Sequence, residues 1–363
     1  MTGPSDLLTR TFDAGDSRLF GRRLRNPRGS RVPLVVVTGF LGAGKTTLVR
    51  ELLKTPEGAN TLVIVNEFGE VGIDDALLKS GGDATILLGN GCLCCVLRSD
   101  LQRTLMDILA ERARGEIVPF QQIILETSGL ADPVPILQTL TADRGLASQL
   151  HVQAVVTVID AVLGLKTLDD TAEARRQVAV ADRIVLTKTD LATPGKIEAI
   201  EAELRSINPS LSIARAANGV VDPQVILADN ADLTEPIYPP RERGRHTADV
   251  ESFALRFDQP LDWVAIELVL EMLARLRGPD ILRAKGLLNV KGCQGPVVVH
   301  QVQHLTAKPV ELERWPTTRE GSEDRTSRLV FITRGIARAD IEQLIDVALR
   351  LADGARGDMA AEP

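Results

Sequence analysis

The run Gly39-Phe-Leu-Gly42-Ala43-Gly44-Lys45-Thr46-Thr47 fits the pattern G-x-x-x-x-G-K-[ST], whose chemistry is phosphate binding. Glycines let the main chain wrap an anion so that successive N–H groups point at its oxygens. A helix starting at the loop adds its positive N-terminal end. Lys45 would reach the β and γ phosphates, and the Thr46 hydroxyl would ligate Mg²⁺. A glycine-rich turn that merely joins strand to helix is the bland alternative. Such a loop also needs an acidic group near the metal, at the end of a neighbouring strand. Gln121-Gln-Ile-Ile-Leu-Glu126-Thr-Ser128-Gly129 supplies Glu126, while Ser128 and Gly129 would set a polar group and a backbone N–H by the γ phosphate. A carboxylate in that place can equally be a loop or cap residue.

Base choice rests on Thr187-Lys188-Thr189-Asp190. A carboxylate at Asp190 can accept two hydrogen bonds from guanine N1 and N2, a pair of donors that adenine lacks on that edge. The aliphatic stem of Lys188 can cover the base. Four residues of this kind also commonly decorate ordinary strand-to-helix turns.

A second chemistry is concentrated in Asn90-Gly91-Cys92-Leu93-Cys94-Cys95. Thiolates favour Zn²⁺ and other borderline or soft ions. C-x-C-C offers at most three sulfurs and leaves room for a carboxylate, water or partner ligand, which suits an ion that is handed on. Inert buried cysteines, a redox dithiol using Cys92 and Cys95, and a closed zinc site with a distant fourth ligand are the alternatives. The glycine-rich acidic segment Asn66-Glu67-Phe-Gly69-Glu70-Val-Gly72-Ile-Asp74-Asp75 suits a loop near Mg²⁺ or the transported ion, or else a solvated turn.

The elements that must position these groups are legible as short Val/Ile/Leu runs at 34–37, 62–65, 86–88, 123–125, 155–159 and 184–186. Each has the length and composition of a strand buried on both faces of a parallel sheet. Between them, 97–112 places Leu101, Leu105, Ile108 and Leu109 on one helical face. The segment 194–206 reads as a helix with proline in its first turn. Alternating strands and helices predict a doubly wound α/β domain over 31–230. Residues 1–30 read as a flexible leader, 231–250 as a Pro- and Arg-containing linker, and 353–363 as a flexible tail. The intervening 251–352 read as a small α+β domain. Strands are expected near 252–257, 287–290, 297–304, 310–314 and 329–333, with helices at 261–276 and 340–351.

Composition narrows the function classes. With 42 Lys+Arg against 49 Asp+Glu, the net charge is −7, an acidic total that argues against coating nucleic acid. No apolar run is long enough to cross a bilayer. Four cysteines, three of them clustered, cannot be a disulfide scaffold and point to a reducing compartment. A cytoplasmic protein is the expectation.

Together these motifs closely resemble the G3E family of P-loop GTPases, in its CobW branch of metallochaperones. The resemblance is carried by 39–47, 66–75, the C-x-C-C block, Glu126-Thr-Ser-Gly129 with Ala131-Asp132-Pro133, and 187–190. Leu282-Arg-Ala-Lys-Gly286 and Trp315 extend it into the small domain, so that it covers about 31–350. It implies a P-loop NTPase fold with a CobW-type C-terminal domain. The implied activity is slow GTP hydrolysis coupled to loading or release of a transition metal for an unidentified client metalloprotein. It also ties Cys92, Cys94 and Cys95 to Zn²⁺ or Co²⁺, with Glu67 as a companion ligand.

Two departures stand out. Thr187 occupies the place of the usual GTPase asparagine, which removes a supporting side-chain amide from the base site. The chain has only four histidines and lacks a His-rich tract; His300 and His304 share a strand face and are read as structural, and Cys293 as a lone turn residue. A metal buffer or sensor with structurally bound nucleotide, and a small-molecule P-loop kinase, are the competing functions.

Overall fold

The computed structural model describes residues 31–66, 85–88, 96–228, 250–303, 305–306, 309–312, 314–315 and 323–359. The expected leader, the acidic 67–75 segment, the C-x-C-C block, His304 and nearly all of the expected linker lie outside them.

Seven strands form one sheet: β1 (Val32–Thr38), β2 (Thr61–Asn66), β3 (Thr85–Leu88), β4 (Gln122–Thr127), β5 (Leu150–Asp160), β6 (Arg183–Thr187) and β7 (Ser212–Arg215). Their order is β3-β2-β4-β1-β5-β6-β7, with every pairing parallel. The first six contain the six apolar runs of the sequence. β7 was not among them, because its residues Ser212, Ile213 and Ala214 are only half-buried and Arg215 is exposed at the sheet edge.

The interior strands are buried on both faces, so they read as continuous runs rather than alternations. Val35, Val37, Val63, Val65 and Val156 pack with Leu48, Val49 and Leu52 of helix α1 (Lys45–Leu53). Their neighbours Leu34, Val36, Leu62 and Ile64 are fully buried on the opposite face. Helix α2 (Val96–Arg114) buries Leu101, Leu105, Ile108 and Leu109, the stripe expected from periodicity. Asp132 caps α3 (Pro133–Ala142), accepting from the Val134 amide at 3.0 Å, and Asp143 caps α4 (Arg144–Gln149) through Leu146 at 2.8 Å. After β5 come α5 (Gly164–Asp170) and α6 (Ala172–Val180); α7 (Pro194–Ile207) and α8 (Pro223–Leu227) flank β7.

The order has a functional consequence. From β1 the chain moves outward to β2 and β3, returns to β4 beside β1, then crosses to β5 on its other side. The loops leaving β1, β4 and β5 therefore diverge from one crevice at the carboxyl ends of adjacent strands, where open α/β sheets bind ligands.

The second unit begins near Phe253. Its sheet runs β11-β10-β9-β13-β8, with β12 pairing β10, for β8 (Val250–Phe257), β9 (Ile281–Leu288), β10 (Val297–Val302), β11 (Leu305–Thr306), β12 (Val310–Glu311) and β13 (Ser327–Arg334). β10 is antiparallel to β9, β11 and β12. Alternate residues Phe253, Leu255, Val297, Val299, Leu329 and Phe331 share one core with Ile266, Val269 and Leu273 of α9 (Trp263–Arg277) and Ile341 and Ile345 of α10 (Arg338–Met359). Both helices thus cover one sheet face.

Three expectations shift here. Asp262 accepts from the Val264 amide at 2.9 Å, so α9 starts two residues later than its hydrophobic period. β9 spans Ile281–Leu288, so it begins before the strand expected near 287–290 and ends within it. Helix α10 continues through Met359, into the stretch expected to be tail. Gly286 lies where a Cβ would come within 2.7 Å of Leu329 and 2.9 Å of Val299, so the strands at this point need a residue without a side chain.

Candidate functional site

The loop between β1 and α1 is held in shape by backbone that only glycine adopts easily. Gly39, Gly42 and Gly44 have φ of 140°, 70° and 93°. A Cβ on Gly39 would lie 2.3 Å from the Val158 carbonyl oxygen, so the loop passes flush against β5. Gly44 caps α1 with no side-chain hydrogen bond, which leaves the first-turn N–H groups to face an anion. Lys45 is buried and donates to the Gly39 and Phe40 carbonyls at 2.9 and 3.2 Å. Its amine therefore lies back along the loop that would wrap the phosphates.

Register brings the acid to this loop. Glu126 pairs with Val37, the next-to-last residue of β1 before the chain enters the loop at Gly39. The Thr46 hydroxyl donates to Glu126 Oε1 at 2.6 Å, and Glu126 is 4% exposed. One step on, Thr127 donates to the Thr38 hydroxyl at 2.9 Å, tying the ends of β4 and β1 together. Ser128 is buried, and Gly129 packs so closely on the loop that a Cβ would meet the Leu41 nitrogen at 2.6 Å. Glu126, Ser128 and Gly129 are thus gathered with Lys45 and Thr46.

The 187–190 segment reaches the same loop from β6. Thr187 is buried and its hydroxyl lies 2.7 Å from the Ala43 carbonyl and 3.1 Å from that of Ile159. The threonine therefore still joins the phosphate loop to the sheet, with a hydroxyl in place of an amide. Lys188 adopts a left-handed φ of 56°, which aims its amine back to Gly42 O at 2.9 Å and Asp160 Oδ2 at 2.6 Å. Burial alone would raise the Asp160 carboxyl. The Lys188 hydrogen bond, the Val162 and Leu163 amides and the Lys188 charge outweigh it, and Asp160 sits below the usual carboxylate range. This pair lies on an apolar cleft of about 260 Å³ bordered by Phe40, Leu41, Leu163 and Thr167.

Asp190 is exposed and accepts from the Asn218 amide at 3.2 Å. That bond identifies a second loop the sequence reading missed. Asn218 and Gly219 have φ of 53° and 78°, and Ala217 bridges to Val220. A Cβ on Gly219 would press within 2.9 Å of the methyl of Thr47, which is exposed on α1. The available signal was the Asn-Gly pair, a preferred sequence for tight turns with positive φ.

Gln177 was also missed. It is fully buried on α6, and its Nε2 donates to the carbonyls of Gly129 and Ala131 at 3.3 and 3.0 Å. Its signal was a polar residue at the i+3 place of the apolar series Ala174, Val178 and Ala181.

Hard-oxygen donors at Thr46 and Glu126 are the right chemistry for Mg²⁺. The expected transition-metal ligands Cys92, Cys94, Cys95 and Glu67 fall outside the described residues. Among the described residues, no group of three or more His, Cys, Asp or Glu side chains could hold a metal ion. Cys293 is half-buried, and burial together with nearby Glu311 pushes its thiol up to about 11, which disfavours the thiolate a metal needs. No helix among the described residues is long and apolar enough to cross a membrane.

Residues 33–215 match the model of the CobW/HypB/UreG nucleotide-binding domain, and residues 250–349 match that of the cobalamin synthesis protein cobW C-terminal domain. The chain is 33% identical over 306 residues to the zinc chaperone YjiA of Escherichia coli, covering 83% of this chain and 93% of that protein. It is 35% identical over 202 residues to the zinc-regulated GTPase metalloprotein activator 1 of Saccharomyces cerevisiae, covering 49% and 46%. The crystal structure of Zn(II)-bound YjiA GTPase from E. coli superposes with a TM-score of 0.67 at 29% identity, over 88% of this chain and 99% of that one.

Proposed function

Because the chain belongs to the CobW branch of the G3E P-loop GTPases, we propose that it is a slow GTPase whose nucleotide state governs loading and release of Zn²⁺, or Co²⁺, for a client metalloprotein. The observation that carries the enzymatic part is the 2.6 Å contact between Thr46 and Glu126, which joins the phosphate loop to an acid on the adjacent strand. A Mg²⁺ held there would neutralise charge shared between the β and γ phosphates. Lys45 swings from the loop carbonyls onto the same phosphates. The N–H groups of 42–47 cradle the β phosphate, and Gly129 presents its amide to the γ phosphate. Asp190 takes the two guanine donors, Lys188 lies over the base, and Thr187 holds the loop under it. Reactions of this type proceed by positioning and charge stabilisation rather than by a strong base, so turnover is slow without a partner.

The cargo site is assigned to Cys92, Cys94 and Cys95 with Glu67. Its support is the preference of clustered thiolates for Zn²⁺ and related ions, together with the zinc-chaperone names of relatives aligned over most of the chain. Such thiols stay free in a reducing compartment, and we place the protein in the cytoplasm.

Anaerobic chelator competition for Zn²⁺ and Co²⁺, with a Mg²⁺-GTP analogue, Mg²⁺-GDP or no nucleotide, tests the coupling. Gated delivery predicts a change of about tenfold or more between nucleotide states, equivalent to about 1.4 kcal/mol. Tight metal binding indifferent to nucleotide would instead make the protein a buffer or sensor. Cys94→Ser should weaken metal and spare nucleotide binding; wild-type metal affinity in that variant would remove the proposed site.

A further inference from the structure

The loop motifs leave one buried polar group near the reaction centre without a role. Gln177 is fully buried on α6, a helix that contributes no P-loop or base-binding residue. Both N–H bonds of its amide point at main-chain carbonyls of the turn that follows β4, Gly129 at 3.3 Å and Ala131 at 3.0 Å. Carbonyls only accept, so the nitrogen must face the turn, and the alternative amide orientation is excluded. Oε1 of the same amide is buried and has no protein partner among the described residues. Burying an amide costs stability unless its hydrogen bonds are made, and both bonds of this side chain run from its nitrogen to the turn, so the position is held for its two donors.

The base of this tether is rigid. The Thr157 hydroxyl on β5 donates to the Gln177 carbonyl at 2.9 Å. Asn208 caps the end of α6 by donating to Val178, Ala179 and Ala181 at 3.2, 3.2 and 3.0 Å. Asp182 accepts from the Val155 amide at 2.8 Å and so pins the next residues to β5. The far end of the tether is the turn that carries Ser128 and Gly129, pressed against Leu41 of the phosphate loop. A γ phosphate would meet this turn, whereas GDP lacks the group that would reach it.

We propose that Gln177 is a positioning residue for hydrolysis: it fixes the 129–131 turn against the phosphate loop through two amide bonds, and thereby acts on GTP turnover and not on GDP binding. The inference rests on the reading of this site as a GTPase.

Gln177→Glu and Gln177→Met test it, each compared with wild type for GTP turnover, KM, GDP affinity and thermal unfolding of the GDP complex. In the glutamate variant a carboxylate faces two carbonyl oxygens, and burial raises its pKa; its protonated form recovers only one donor. Turnover of Gln177→Glu should fall about tenfold or more near pH 8, and the deficit relative to wild type should shrink towards about pH 6. Gln177→Met preserves size without donors, so its deficit should be independent of pH, and GDP affinity should stay within about threefold of wild type in both variants. Turnover within about twofold of wild type in both variants would overturn the proposal. So would a loss of GDP affinity as large as the loss of turnover, since that would be a merely structural effect. If wild type itself turns over no GTP, the GTPase reading falls and this inference with it. Active wild type with unaffected variants removes Gln177 alone.

Discussion

Asp160→Asn isolates the strap that holds Lys188 over the phosphate loop. The carboxylate takes three bonds, from Lys188 Nζ at 2.6 Å and from the Val162 and Leu163 amides at 2.7 and 3.1 Å on its other oxygen. Asparagine can keep the two amide bonds on its single carbonyl oxygen. Its NH₂ then faces the ammonium, so one charge-assisted bond is lost and two donors are opposed. A hydrogen bond to a charged group contributes about 1.5–3 kcal/mol when desolvated. The Lys188 side chain is 37% exposed, so water recovers part of this, and about 1–2 kcal/mol is the expected net loss. If the strap holds Lys188 on the base, fluorescent GDP should bind about 5- to 30-fold more weakly. Lys188→Met should weaken binding as well, and adding Asp160→Asn to it should cost little more, because the carboxylate acts through the amine. Independent, additive losses in this double-mutant cycle would refute the reasoning. The pH dependence has a definite sign. The folded carboxyl lies below its ordinary 3.8, so its contribution is fully present above that value and is lost only as pH falls through the lower folded one. GDP affinity should therefore owe nothing to Asp160 titration between about pH 5 and 8.

Three other outcomes follow from close contacts. Gly129→Ala places a Cβ 2.6 and 2.8 Å from the backbone nitrogen and Cα of Leu41, which cannot yield as a side-chain tip would. The turn must move, and GTP turnover should drop about 10²-fold with the fold retained by circular dichroism; near-normal turnover would contradict the packing. Arg183→Met removes a buried guanidinium that donates to Val225, Ile226 and Ala228 carbonyls at 3.2, 3.3 and 2.7 Å, and should cost about 2–4 kcal/mol in urea unfolding. An unchanged urea midpoint would show that these carbonyls are satisfied otherwise. Thr187→Asn restores an amide where the hydroxyl holds Ala43 O, and should raise the preference for GTP over ATP in competition binding; an unchanged ratio would mean that Thr187 already supports the loop fully.

Much of this site was legible because its chemistry is local in sequence. A loop that wraps phosphate must bring glycines, a lysine and a hydroxyl within nine residues, and buried parallel strands must be short aliphatic runs. β1, β4 and the Glu126 position follow from those two constraints together, since parallel register alone carries Glu126 to the end of β1. The edge strand β7 escaped because a half-buried edge needs no aliphatic run. The C-terminal strands blurred for a related reason: β9 interrupts its apolar residues with Arg283, Lys285 and Gly286, so it presents no aliphatic run before Leu287-Leu288.

What sequence spacing conceals are contacts made across the fold between residues far apart in the chain. Gln177, Asp160 and Asn218 lie 48, 28 and 28 residues from their partners Gly129, Lys188 and Asp190. Where one end of the contact is main chain, as at the Gly129 and Ala131 carbonyls or the Asn218 amide, it imposes no residue type, so nothing in that residue's identity announces the bond. The only trace is a polar side chain placed where packing would prefer an apolar one. Gln177 is such a residue, on the buried face between Ala174 and Val178, and so is Asp160, which directly follows the buried Val158-Ile159 at the end of β5. Burying them without function would cost stability that an alanine or leucine would not. In a sheet whose loops converge on one crevice, a polar residue breaking an aliphatic run beside that crevice is therefore itself a signal, and it points to the loop the residue restrains.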